Sequence, residues 1–214
     1  MCPRLVEWRE KVALTKRASF AEEEYWGKPV PGFGDPNARI VVSGLAPAAH
    51  GANRTGRMFT GDRSGDWLFR ALHTAGLANQ PTSVSRDDGL ELTGVWVTAP
   101  VRCAPPQNRP TPTERDNCSG WFDDELALLP NTRVFVVLGQ FGYHALWSHL
   151  KRTGHLLPAP RPKFRHGLEV DLGDVTILAS YHVSQQNTFT GRLTEQMLDA
   201  VFARATAIAT APKL

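Results

Sequence analysis

The feature that most constrains the fold of this chain is a pattern that recurs four times: a short apolar segment, a polar loop and an amphipathic segment. The apolar segments are rich in β-branched residues, which favours strands, and the amphipathic segments repeat with helical spacing. The predicted strands cover residues 38–45, 95–99, 133–138 and 175–180, with 168–172 as a candidate partner of the last. The predicted helices cover residues 5–17, 65–76, 111 or 113 to 129, 139–150 and 193–209.

Alternation of strands and helices predicts a parallel sheet with helices on both faces. We therefore expect an α/β fold, a three-layer α/β/α sandwich with a four-stranded parallel central sheet. No internal repeat or linker divides the chain, so we predict a single domain over residues 1–214 in which the end, 205–214, is frayed.

Composition excludes several classes of protein. With 42% hydrophobic and 21% charged residues the chain is not disordered, and its longest apolar run, 134–138, is far too short to span a bilayer. The first residues lack the apolar core of a signal peptide, which predicts a soluble, cytoplasmic protein without a membrane partner. Since no oligomerisation seam is visible, we expect a monomer.

The charge pattern is mildly basic, with a formal net charge of +3. Arginines make up 18 of the 24 cationic residues, and guanidinium groups suit bidentate contacts with phosphate. The three cysteines are an odd number, which argues against a disulfide framework.

Ligands of open α/β sheets bind beyond the carboxyl ends of the strands, and the loop after the first predicted strand is built for such a role. Residues 44–66 combine five glycines with polar side chains and place Phe59 among them. Such a loop either holds a planar, polar ligand against the Phe59 ring or is a structural loop whose phenylalanine enters the core. It contains neither a phosphate-binding P-loop nor a dinucleotide fingerprint.

A second polar loop follows the last predicted strand. His182 stands at the strand end, where it would face the same crevice, or it is a structural histidine. Ser184 begins a run of five polar residues suited to hydrogen bonds with phosphates and bases, and Arg192 adds a positive charge near a helix start.

Five segments together resemble the family-five (B-type) uracil-DNA glycosylases, from residue 2 to about residue 193. The matching segments are CPRLV at 2–6, GLAPAAHGANRTGR at 44–57, FTGD at 59–62, RCAPPQN at 102–108 and HVSQQN at 182–187. The resemblance implies a monofunctional DNA-repair glycosylase that flips uracil out of single- or double-stranded DNA and hydrolyses its N-glycosidic bond. It also points to hypoxanthine and other deaminated bases as further substrates.

The residue roles follow from this resemblance together with the types of side chain present. Uracil is expected to stack on Phe59, and His182 to stabilise the charge on the departing base. Asp62 is the candidate for water activation or oxocarbenium stabilisation, with Asp66 in reserve, and Asn53 is the third predicted catalytic residue, with a positioning role. The remaining predicted substrate-binding residues are Gly44, Leu45, Ala46, Ala48, Ser184, Asn187 and Arg192.

The same resemblance implies a structural [4Fe–4S] cluster away from the crevice. Its relatives hold the cluster with four cysteines, and Cys2, Cys103 and Cys118 match three of them. The fourth would precede Met1, so we expect a truncated or misassigned start. The alternative is that these are three ordinary thiols.

Three other functions remain open at this point. One is a non-catalytic or covalently trapping DNA-binding protein on the same fold, although the basic loop insertion expected of a trapping protein is absent beside the first motif. The others are a hydrolase of free nucleosides or nucleotides and an iron–sulfur structural or electron-transfer module.

Overall fold

In the computed structural model of the protein, which describes residues 2–212, a six-stranded sheet lies between two layers of helices. The strands are β1 (Phe33–Gly34), β2 (Ile40–Ser43), β3 (Val95–Thr98), β4 (Val134–Leu138), β5 (Leu168–Asp171) and β6 (Thr176–Ser180). The helices are α1 (Pro3–Thr15), α2 (Ala52–Thr55), α3 (Arg63–Thr74), α4 (Pro112–Ala127), α5 (Gln140–Arg152), α6 (Gln185–Phe189) and α7 (Glu195–Thr210).

The four predicted strands form the parallel centre of the sheet, in the order β3-β2-β4-β6. The α/β/α architecture is therefore confirmed, but the strand number needs correction. β1 and β5 pair antiparallel with β3 and β6 and lengthen the sheet to six strands. The two additions cover edge backbone groups of the parallel block that would otherwise lack partners in the sheet.

The two faces of the sheet bury different helices because successive strand residues point in opposite directions. In β2, Ile40 and Val42 join the cluster that contains residues of α3 and α7. Val41 lies between them and joins the cluster with residues of α4 and α5. The sheet therefore has apolar cores on both sides, and polar ligands can reach only its ends and edges.

Helix ends follow local capping chemistry. Thr111, one of the two predicted caps, accepts a hydrogen bond from the backbone N–H of Glu114, and the Glu114 carboxylate accepts one from the N–H of Thr111. This reciprocal pair fixes the start of α4. Within residues 2–212, no helix is both long and apolar enough to cross a membrane.

The C-terminal helix is longer than predicted. Fraying was expected from residue 205, but α7 continues to Thr210 and buries Ala205 and Ala209. Alanine has the highest helix propensity, and the apolar core holds this face in place. The prediction of fraying is therefore wrong as far as Thr210, and residues 213–214 lie outside the described part of the chain.

Candidate active site

A cleft of about 540 Å³ opens where the loops after β2, β3 and β6 meet. It lies at the carboxyl ends of the parallel strands, as expected for this architecture. The lining residues are Leu45, Ala46, Ala48, Met58, Phe59, Asp62, Arg63, Ser64, Gln107, Asn108, Arg109, His182, Ser184, Gln185 and Gln186. The structure therefore brings together seven of the predicted site residues from two loops that are more than a hundred positions apart in sequence.

Phe59 forms an aromatic wall of this cleft, and its ring lies 6.2 Å from that of His182 between centroids, at 32°. Its backbone has a φ of 53°, in the left-handed region that non-glycine residues rarely adopt. The ring passes so close to Gly44 that a Cβ there would lie 2.5 Å from its Cζ atom. Gly44 therefore does not line the cleft, but its lack of a side chain makes room for the ring that does.

Asp62 is both the N-cap of α3 and part of the cleft wall. Its Oδ1 atom accepts a hydrogen bond of 3.1 Å from the backbone N–H of Gly65. Burial raises the pKa of the Asp62 carboxyl above its ordinary value, although the N–H groups of Gly65 and Ser64 oppose this effect. A desolvated carboxylate whose pKa is raised is suited to accept a proton or to face a developing positive charge.

His182 lies on the segment between β6 and α6. The side-chain amide of Asn187 donates a hydrogen bond of 2.8 Å to the backbone carbonyl of His182 and so braces this segment. Burial lowers the pKa of His182 to about 4, so its ring is neutral at physiological pH. A neutral imidazole retains one N–H and can donate it to an oxygen that gains negative charge.

Four predicted site residues lie outside the cleft lining: Gly44 and Asn187, described above, and two that have other contacts. Asn53 is buried, and its amide donates a hydrogen bond of 3.2 Å to the backbone carbonyl of Arg9. Asn53 therefore lies outside the cleft lining and ties α2 to α1, and its predicted positioning role stays a prediction. The Arg192 guanidinium lies 4.4 Å from the centroid of the Tyr181 ring, beside the loop rather than in the cleft lining.

The loop after β3 contributes residues that the sequence analysis did not assign. Gln107, Asn108 and Arg109 line the cleft, and the first two have φ values of 56° and 54°. Two successive non-glycine residues in this conformation are costly and tend to occur where function demands them. The RCAPPQN segment at 102–108 was one of the five segments that carry the family resemblance. The types of residue at positions 107 and 108, however, did not indicate a role in the site.

The three cysteines lie together at some distance from the cleft lining. Burial raises the pKa values of the Cys103 and Cys118 thiols, and Cys2 adds to the effect on both. Thiolates are the ligands that iron–sulfur clusters use, so the three residues have the chemistry of cluster ligands. Among residues 2–212, however, no group of three or more His, Cys, Asp or Glu side chains is arranged to hold a single metal ion.

The chain is similar to known proteins over nearly its whole length. The family model of the uracil DNA glycosylase superfamily matches residues 31–206. A type-5 uracil-DNA glycosylase of Thermus thermophilus is 54% identical over 98% of this chain and 93% of its own length. Proteins of the same name from Mycobacterium bovis (54% identical, 97% of this chain and 77% of the relative) and Pyrobaculum aerophilum (50%, 96% and 87%) are also similar. The chain therefore belongs to the type-5 branch of the uracil-DNA glycosylase superfamily.

Proposed function

We propose that the protein is a DNA-repair glycosylase that hydrolyses the N-glycosidic bond of uracil in DNA and leaves an abasic site. The observation that supports this most is the convergence of Phe59, Asp62 and His182 on one cleft. An aromatic surface can hold a planar base, a desolvated carboxylate can accept a proton from water, and a neutral imidazole can stabilise the charge of the departing base. The names of the type-5 relatives point to the same reaction.

The base binds against the Phe59 ring. A base inside a duplex is inaccessible, so the uracil nucleotide rotates out of the stack and its ring enters the cleft. Leu45, Ala46 and Ala48 line the cleft on the segment that follows β2, where their backbone groups face the base edges.

Bond cleavage separates charge between the sugar and the base. The C1′–N1 bond breaks, and its electron pair leaves with uracil while the sugar becomes an oxocarbenium-like cation. His182 donates its N–H to uracil O2 and stabilises the anion, a contribution of about 3–4 kcal/mol in comparable sites. Water adds to C1′, and its proton passes to the Asp62 carboxylate, whose charge also faces the cation.

Duplex substrates require a group that replaces the extruded nucleotide. Phe189 ends α6 and its side chain is 64% exposed. The guanidinium of Arg63, which lines the cleft, lies 4.5 Å from the Phe189 ring centroid. An exposed aromatic ring braced at the rim of a base pocket is suited to enter the stack, as apolar wedges do in other DNA-deforming proteins. We assign this role to Phe189.

The cleft also favours substrates beyond uracil. Small side chains such as Ala46 and Ala48 leave room for a purine ring. Thr98, at the end of β3, is bonded to Glu125 and so is not directed to the base. We therefore propose hypoxanthine as a second substrate, to be tested by comparing rates on uracil, hypoxanthine and thymine in one sequence context. Equal rates for uracil and thymine, or action on uracil alone, would each contradict this extension.

We also propose that the three cysteines bind an iron–sulfur cluster. Cys2, Cys103 and Cys118 would hold three corners of a [4Fe–4S] cluster, which would cross-link the start of α1, the loop after β3 and α4. Such a cluster acts in structure only and takes no part in hydrolysis. Iron and sulfide analysis of purified protein tests it, and the Cys118→Ser variant is expected to contain less iron.

Excision from a defined duplex tests the proposed activity. An end-labelled duplex with one uracil is incubated in buffer with EDTA, which suppresses contaminating nucleases, and is then treated with alkali. Cleavage at the uracil position is the expected result. Intact DNA that stays bound to the protein would favour the non-catalytic binder, and an adduct stable to denaturant would favour covalent trapping.

A further inference from the structure

The loop at residues 83–90 holds the strained backbone of Phe59 through a buried ion pair. Phe59 adopts a left-handed conformation that costs about 1–2 kcal/mol for a non-glycine residue, so neighbouring contacts must stabilise it. The residues before and after Phe59 provide such contacts. They lead away from the cleft to a loop that the sequence analysis left without a role.

Arg57 connects the Phe59 segment to this loop. Its Nε donates a hydrogen bond of 2.9 Å to Thr60 Oγ1, and its Nη1 donates one of 3.0 Å to the Arg86 carbonyl. Its Nη2 lies 2.8 Å from both carboxylate oxygens of Asp88. The two side chains of this pair are only 6% and 7% exposed, so water screens their attraction weakly.

Asp88 also organises its own loop. Its carboxylate accepts hydrogen bonds from the backbone N–H groups of Val84, Ser85 and Leu90. Burial by itself would raise the pKa of Asp88, but the bonds from Arg57 and these backbone groups lower it below the ordinary value. Asp88 is therefore an anion that fixes both Arg57 and the backbone of residues 84–90.

Ser83 completes the connection on the other side of Phe59. Its hydroxyl lies 2.7 Å from Thr60 Oγ1, and its carbonyl accepts a hydrogen bond of 2.8 Å from the Gly61 N–H. The loop thus contacts residue 57 before Phe59 and residues 60 and 61 after it. Neither Arg57 nor Asp88 is part of the cleft lining, so they can act on a bound base only through the residues of this segment that do line it, Met58, Phe59 and Asp62. Of these three, only Phe59 has a left-handed backbone.

We propose that Asp88 is a positioning residue that, through Arg57, Thr60 and Ser83, holds the Phe59 ring in the conformation that receives the flipped base. The proposal rests on the glycosylase function proposed above. It assigns to the loop at 83–90 a part in excision although the loop does not touch the substrate.

The first test is a double-mutant cycle in single-turnover excision. Asp88→Asn is expected to slow excision about 10- to 100-fold, because small misplacements of binding groups have effects of that size. In a Phe59→Leu background the same substitution should change the rate less than about twofold, since the group it positions is gone. Equal losses in both backgrounds, or an unchanged rate in the wild-type background, would overturn the proposal.

Two further variants separate positioning from folding. Ser83→Ala removes the hydrogen bonds of the Ser83 hydroxyl with Thr60 and with Arg57 Nη2 but leaves the Arg57–Asp88 pair. Its loss of rate should be smaller than that of Asp88→Asn and should likewise shrink in the Phe59→Leu background. Glu169→Gln removes a surface partner of Arg204 and should leave the rate unchanged. If Asp88→Asn has a Tm far below that of the wild type, its slow excision could reflect unfolding. The double-mutant cycle of Ser83→Ala with Phe59→Leu then decides whether the loop positions Phe59.

An NMR titration of His182 tests the position of the Phe59 ring without a measurement of activity. The His182 ring faces Phe59, and displacement of that ring should admit water and raise the pKa of His182 from about 4 towards its ordinary value. An NMR titration of Asp88→Asn that matches the wild type would contradict the proposal. A wild-type protein without excision would instead refute the proposed function, and the titration would still show whether Asp88 positions Phe59.

Discussion

At the residue scale, the observed N-cap role of Asp62 and the catalytic role that we propose for it make different demands on its charge. As the N-cap of α3 it needs only an acceptor oxygen, which Asn supplies equally well. As a catalytic group it must be an anion, although burial raises its pKa and so makes ionisation costly at neutral pH. Burial therefore opposes the charge of Asp62, whereas the proposed catalytic role needs it.

This conflict predicts opposite effects of two substitutions on stability. Asp62→Asn keeps the cap and removes a buried charge, so its Tm at pH 7 should equal or exceed that of the wild type. Asp62→Ala loses the cap as well, which costs about 0.5–2 kcal/mol relative to Asn. Thermal unfolding of the two variants checks this, and a clearly lower Tm for Asp62→Asn would contradict it.

A second prediction concerns the protonation of His182. Its folded-state pKa, about 4, is below the ordinary value of 6.5, so the neutral ring contributes stability that is fully present above pH 6.5. That contribution is lost as the pH falls through 4. We expect an NMR titration midpoint near 4, and a wild type that loses more stability than His182→Gln between pH 6.5 and 4. A midpoint near 6.5 would refute the buried, neutral ring.

Sequence alone made Phe59, Asp62 and His182 candidates because each stands in a polar loop after a predicted strand, and the structure places all three in the lining of one cleft. It could not tell that Asn53 points to the Arg9 carbonyl instead, since the direction of a buried amide depends on how α1 packs. It also gave no role to Gln107 and Asn108, because left-handed backbone conformations of non-glycine residues leave no compositional signal.

At the element scale, the start of α3 depends on a glycine inside the helix. A Cβ at Gly65 would clash with the carbonyl oxygen of Phe59, a backbone atom that cannot move without displacing the cleft wall. We predict that Gly65→Ala lowers the free energy of unfolding by about 1–3 kcal/mol. In α4, Gly120 has no atom within 4 Å of such a Cβ, so Gly120→Ala should instead add about 0.5–1 kcal/mol. If Gly65→Ala and Gly120→Ala changed the free energy of unfolding equally in a denaturant titration, the predicted clash at Gly65 would be disproved.

The short helix α6 gives a prediction about substrate form. If Phe189 replaces the extruded nucleotide, Phe189→Ala should slow excision from duplex DNA about tenfold or more but leave single-stranded DNA nearly unaffected, because only the duplex must be unstacked. Leu156→Ala, which removes another exposed apolar side chain, serves as the matched control. Equal losses on both substrates would assign Phe189 to the pocket rather than to strand separation.

Elements differ in how well sequence predicts them. The four parallel strands were found because each is an apolar run buried on both faces. β1 was predicted as loop because two residues beside glycines and prolines carry no periodicity, and only pairing with β3 makes them a strand. The end of α7 was misplaced because small alanines conceal how deeply that face is buried.

At the scale of the whole molecule, the cleft presents positive charge to a polyanion. Arg63 and Arg109 line it, and neither forms a salt bridge within residues 2–212. DNA affinity should therefore fall with salt, and Arg109→Ala should reduce the slope of log K against log[salt] by about 1. Arg204→Ala, which removes an arginine already paired with Glu169, should leave the slope unchanged. Identical slopes for wild type and Arg109→Ala would exclude a phosphate contact.

The proposed reaction takes place in one cleft, in which we expect Asp62 and His182 to act on a base held by Phe59. The most direct measurement is the single-turnover rate of uracil release from a defined duplex by the wild type and by Asp62→Asn, at equal and saturating protein. We expect the wild type to release free uracil and the folded variant to be at least about 100-fold slower, because a catalytic acid or base contributes about 100-fold or more. A folded Asp62→Asn enzyme that releases uracil at the wild-type rate would contradict this expectation.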